Sequence, residues 1–110
     1  MAYDEDLADR IRELLGSESG VTEKRMFGGL SFLLNGNMAV AASGQGGLLV
    51  RVPPDDTETL LDGEHVTPMV MRDREMRGWL RVSNDGVLTR SHLEDWVERG
   101  AAYARSLPPK

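Results

Sequence analysis

The chain has 110 residues, of which 40% are hydrophobic, 28% charged and 5% aromatic, with a formal net charge of -5 and no cysteine. That length and composition suit one folded domain over residues 1–110. Without cysteine there is no disulfide, thiol nucleophile or thiolate metal site, and no apolar run approaches the ~18 residues of a membrane span. The acidic start Asp4-Glu5-Asp6 is the opposite of a basic, then apolar, secretory leader, so the expected compartment is the cytoplasm.

The first helix is predicted from about Asp4 to Leu15, because Leu7, Ile11, Leu14 and Leu15 form one apolar stripe. Asp4, Glu5 and Asp6 sit where the helix dipole favours negative charge, and Gly16 is placed as its C′ stop. Four strands follow: Val21–Phe27, Leu30–Leu34, Asn37–Ala42 and Leu48–Val52. Asn35-Gly36 between the second and third is a type I′ hairpin signal, because both central residues of that turn need φ > 0. The small Ala39, Ala41 and Ala42 predict a face crowded by a helix. Pro53-Pro54 ends the ladder, and Asp55 or Asp56 is the expected cap of a short helix running to about Leu61 and stopping at Gly63. A second hairpin has arms near Val66–Met71 and Met76–Val82 around Arg72-Asp73-Arg74-Glu75. The last helix starts at Thr89 or Ser91 and runs to about Ser106, with Leu93, Trp96, Val97, Gly100, Ala101, Ala104 and Leu107 as its buried stripe. The order α-β-β-β(-β)-α-β-β-α predicts an α+β domain in two layers, an antiparallel sheet with helices on one side.

Acid and base are segregated along these elements. Residues 1–23 hold seven acids against two bases, whereas residues 24–52 hold Lys24, Arg25 and Arg51 and no acid. Residues 53–64 are acidic again, and residues 65–81 carry four arginines against Asp73 and Glu75. The pattern predicts a mildly basic sheet on an acidic body. The overall acidity disfavours nonspecific attachment to nucleic acid or to an anionic membrane.

The residues offer little for catalysis. His65 stands beside Glu64 in a loop, and His92 shares a helix face with Asp95. There is no H-x-x-x-H pair, G-x-S-x-G elbow or P-loop. Gly28-Gly29, Gly44 and Gly46-Gly47 lie between strands, whereas phosphate-cradling glycines lie between a strand and a helix. Gly28, Gly29, Asn35 and Gly36 are therefore read as turn positions, and no catalytic residue, cofactor site or metal ligand is assigned. Lys24, Arg25, Arg51, Arg77 and Arg81, with Phe27 and Trp79 interleaved, form the candidate surface for a protein partner or an anion. Met26, Met38, Met69, Met71 and Met76 suit an adaptable core or a partner surface.

The run Arg25-Met26-Phe27-Gly28-Gly29, then Phe32, Asn35-Gly36-Asn37-Met38, Gly78-Trp79 and a C-terminal Leu93…Trp96…Tyr103 helix resembles the N-terminal domain of the TfoX/Sxy family. The resemblance covers about Asp4 to Leu107 and implies a two-layer α-β-β-β-α-β-β-α fold similar to secretion chaperones. It also implies a regulator of the kind that acts with the cyclic-AMP receptor protein on DNA-uptake genes, here as a stand-alone N-terminal module without the family's second domain. It carries no catalytic residues across. The expectation is a cytoplasmic, non-catalytic protein-binding module without a cofactor, a transcription co-regulator and homodimer. Its first rival is direct nucleic-acid or anionic-ligand binding through the basic strands. Its second is a small-molecule binder or enzyme, which would need a concave pocket gathering His65 or His92 with arginines.

Overall fold

Helix α1 (Glu5–Leu15) begins where Asp4 Oδ1 accepts the backbone N–H groups of Asp6 and Leu7, at 3.0 and 3.2 Å. It turns Leu7, Ala8, Ile11 and Leu15 inward. Gly16 does not act as a left-handed stop. It keeps right-handed angles (φ -60°, ψ -24°), and its N–H reaches the Glu13 carbonyl, so the last turn closes by tightening. The computed structural model describes residues 4–16, 20–26, 29–44, 46–61, 65–71 and 73–109. Phe27, Gly28, Arg72, Gly63 and the side chains of Met26, Met71, Met76 and Arg77 lie outside what it describes.

Six antiparallel strands form one sheet: β1 (Val21–Met26), β2 (Gly29–Leu34), β3 (Asn37–Ala42), β4 (Leu48–Arg51), β5 (Val66–Met71) and β6 (Arg74–Val82). Their order across the sheet is β1-β2-β3-β4-β6-β5, so the second hairpin docks through its second strand and leaves β5 outermost. The Asn35-Gly36 turn has φ 54° and 86°, as a type I′ turn requires. Gly29 is not a turn residue: it opens β2, paired with Met26, and a β-carbon there would collide with the Ala42 carbonyl. Strand β6 begins at Arg74, two residues earlier than expected, because Asp73 takes a left-handed φ of 64° and tightens the reversal.

Alternation divides each strand between two faces. Leu30, Phe32, Leu34, Val40, Ala42, Leu48, Val50, Leu80 and Val82 point to the helix side and pack with Leu7, Ile11, Leu93, Val97, Ala101 and Ala104 in the main core. Helix α3 (Arg90–Ser106) lies directly on β3 because Gly100 has no side chain; a β-carbon would stand 2.5 Å from the Ala39 carbonyl oxygen. A register shift lets Phe32 face Val40 and Leu33 face Met38, so Ala39 is an extra residue on β3. That bulge corrects the reading of the three alanines. Ala39 and Ala42 face the helices, whereas Ala41 joins Met38, Leu49 and Met69 in a smaller apolar cluster on the other face.

The remaining helices are set by caps. A tight helical turn, Pro54–Asp56, leads into α2 (Thr57–Leu60), whose Leu60 packs on the core together with Leu61 just beyond it. Asp56 stands at its N-cap without bonding the helix; Thr57 Oγ1 donates to the Pro54 carbonyl and accepts from Gly78 N–H, both at 2.8 Å. A second tight turn, Asn84–Val87, is capped by Ser83, and Thr89 Oγ1 caps α3 by accepting from His92 N–H at 3.2 Å. Among the described residues, no helix is long and apolar enough to cross a membrane.

Candidate interaction surface

Strand register decides where each expected site residue points. Lys24 pairs with Ser31 and Arg25 with Leu30. Directly opposed residues share a face, so Arg25 projects to the helix side and Lys24 to the other, both exposed on the outermost strand β1. Beside Arg25 on the helix side, Glu23 makes a two-pronged ion pair with Arg12 of α1, at 2.6 and 2.8 Å. The Arg12 hydrogen bond holds the Glu23 carboxyl below the usual glutamate range, and Glu23 in turn raises the Arg12 guanidinium.

The other named residues stand three and four strands away, on β4 and β6. Arg51 and Trp79 are paired across β4 and β6, and the Arg51 guanidinium lies 5.5 Å from the Trp79 ring centre and 5.6 Å from that of Tyr103. Two aromatic faces thus fix one cation at the end of β4. Trp79 is half-buried and packs, with half-buried Leu33, against the cluster of Met38, Ala41, Leu49 and Met69.

Arg81 is next but one to Trp79 and so on the same face. Its Nη1 donates to the Gly46 carbonyl at 3.0 Å, and both Nη atoms reach Ser43 Oγ. The guanidinium therefore grips the β3–β4 loop. One row of that face runs through Lys24, Ser31, Ala41, Leu49, Arg81 and Thr67 across all six strands. It is charged or polar near both edges and small or apolar in the middle. Ser31 is fully buried there, and its hydroxyl finds no hydrogen-bond partner among the described residues.

The structure thus brings Arg51, Trp79 and Arg81 to one face, separates them from Lys24 and Arg25, and leaves Phe27 and the Arg77 side chain outside the described set. The sequence reading missed Tyr103, Ser43 and Asn84 as neighbours of these cations. Nothing local announces them: Ser43 and Asn84 reach Arg81 through the pairing of β4 with β6, and Tyr103 reaches Arg51 through the docking of α3.

The histidines are drawn together more than their sequence separation implies. His65 lies with Arg81 on a hollow of about 420 Å³, and with His92, Asp85 and Trp96 on an adjoining one of about 270 Å³. His65 Nδ1 stands 3.1 Å from Ser83 Oγ. A further hollow of about 280 Å³ between α1 and α3 mixes Glu13, Glu94 and Glu98 with Arg90 and Arg105. Among the described residues, no three carboxylate or imidazole groups gather as a metal site.

This is a two-layer α+β domain whose six-stranded antiparallel sheet is covered by helices on one side and carries an arginine–aromatic cluster on the other. The chain belongs to the TfoX N-terminal domain family, whose family model matches residues 13–104. No curated protein and no solved structure shows significant similarity to it.

Proposed function

We propose that the chain is a non-catalytic protein-binding module of the cytoplasm, a transcription co-regulator of the TfoX type that pairs as a homodimer. The observation that carries this reading is the sheet face opposite the helices. Partly buried Leu33 and Trp79 flank a methionine-rich apolar cluster, with Arg51 stacked on the Trp79 ring. Tryptophan, methionine and arginine are the residue types enriched at protein interfaces, and rigid aromatic anchors carry most of the binding energy. The methionines let the patch adapt to a partner's contour. Family membership supports the regulatory part of the reading.

The test pairs light scattering with co-purification. The wild type is expected at twice the chain mass of 12.2 kDa and to retain a stoichiometric protein partner, whereas Leu33→Asp and Trp79→Ala lose the partner while keeping the far-ultraviolet dichroism. A stable monomer at high micromolar concentration removes the homodimer. A wild type that recovers no stoichiometric partner removes the rest.

A further inference from the structure

We infer that the hollow between the β3–β4 loop and the end of β6 is a binding site for the phosphate group of a small phosphorylated molecule. The inference is independent of the protein-binding reading, because it uses a different part of the sheet.

Arg81, His65 and Asn84 line this hollow, and each is tied to a neighbour by a hydrogen bond. Arg81 lines it, with its guanidinium fixed by the Gly46 carbonyl and Ser43 Oγ. His65 lines it, with its Nδ1 3.1 Å from Ser83 Oγ, and that oxygen also accepts from Gly86 N–H at 3.3 Å. Asn84 lines it too, and its Oδ1 accepts from Gly47 N–H at 3.1 Å. That bond fixes which way the amide lies: Nδ2 sits by Gly46, 3.5 Å from where a β-carbon on that residue would stand. Groups already immobilised lose little conformational freedom when they capture a ligand.

Chemistry selects the ligand class. The described residues around the hollow supply one arginine, one imidazole, one amide and hydroxyl groups, and no carboxylate. The Arg81 guanidinium brings a fixed positive charge to the wall of the hollow, and that charge favours a phosphate group over a neutral ligand. The Gly46-Gly47 wall presents bare backbone. Gly47 has φ 77°, and a β-carbon there would strike the Val82 carbonyl, so the chain at this point favours glycine on both counts. A volume of about 420 Å³ exceeds what a lone inorganic ion fills and lies in the usual range for small-molecule sites.

The test is a titration of the ¹⁵N-labelled chain with inorganic phosphate and with a nucleoside monophosphate, followed by amide resonances. Both ligands are expected to shift Gly46, Gly47 and the Asn84 side-chain amide saturably, the nucleotide more tightly. Arg81→Gln is expected to weaken binding by about tenfold, the worth of one charge-assisted hydrogen bond. Because Arg81 also grips the loop, Asn84→Asp is the decisive second variant. It keeps the oxygen that accepts from Gly47 and places a negative charge where Nδ2 stood, and it too is expected to weaken binding by about tenfold or more. Shifts that do not saturate, that map instead to Lys24, Arg25 or Arg105, or an Asn84→Asp chain that binds phosphate like the wild type would overturn the assignment.

Discussion

The two faces of the sheet are built from the same strands and do different work. On β4, Leu48 and Val50 vanish into the helix-covered core, while Leu49 and Arg51 between them line the other face. On β6, Leu80 and Val82 do the first job, and Trp79 and Arg81 the second. The helix side is apolar throughout its centre, with ion pairs and hydrogen bonds such as Arg12–Glu23 at its rim. The opposite side is a thin apolar cluster with two anchored cations, Arg51 on the Trp79 ring and within reach of Tyr103 of α3, and Arg81 clasping a loop. The main core is thus concentrated on one face, and only a small apolar cluster lies on the other.

Truncating each face in turn gives the largest test of that contrast. Phe32→Ala, in the core and 1% exposed, is expected to cost about 3–5 kcal/mol in chemical denaturation. Trp79→Ala, though a larger truncation, is expected to cost about 1–2 kcal/mol, since the side chain is half-buried and loses mainly its contacts with Arg51 and the methionines. Equal costs would mean that both faces are core. An intermediate effect probes the contact between the layers. Gly100→Ala gains roughly 1 kcal/mol of helix propensity, yet its new methyl must push α3 off the Ala39 carbonyl and the Val40 side chain. Overpacking of this kind costs about 1–3 kcal/mol, so a net loss of stability is expected in thermal melts, with α3 retained.

The smallest effect lies at the rim. Glu23 titrates below its usual range in the folded chain because Arg12 donates to it, so it adds stability above that range. The contribution fades as pH falls through its folded value. Because both partners are exposed to solvent, the contribution is small. A Glu23→Gln chain should therefore lose a small part of the wild type's stability at neutral pH and none of it in strong acid, as read from urea midpoints at both pH values.

Much of this architecture is legible in local chemistry. Asn35-Gly36 dictates its hairpin, the Leu7–Ile11–Leu15 spacing dictates α1, and the two-residue alternation of Leu48–Val52 sorts that strand's side chains correctly. What local chemistry cannot state is which strands become neighbours. The pairing of β4 with β6 brings Arg81 to the Ser43–Gly47 loop and His65 to the same hollow, residues 16 to 38 positions apart in the chain. The arginines were readable as face residues, but their occupation by Tyr103 and by the Gly46 carbonyl was not. The glycines at Gly46-Gly47 were readable as a turn, and their use as a bare wall follows only from the strand order. The bulge at Ala39 was equally hidden, since one extra residue in a run of small apolar side chains leaves no mark on its pattern.

The margins of the sheet bear on how copies of this chain can meet. The outer strand at one margin alternates Glu23, Lys24 and Arg25, and the outer strand at the other is interrupted by Pro68 and the register shift beside it. Charge and proline are the usual guards against lateral growth of a sheet. Both described margins of the sheet therefore carry features that disfavour its extension by another strand.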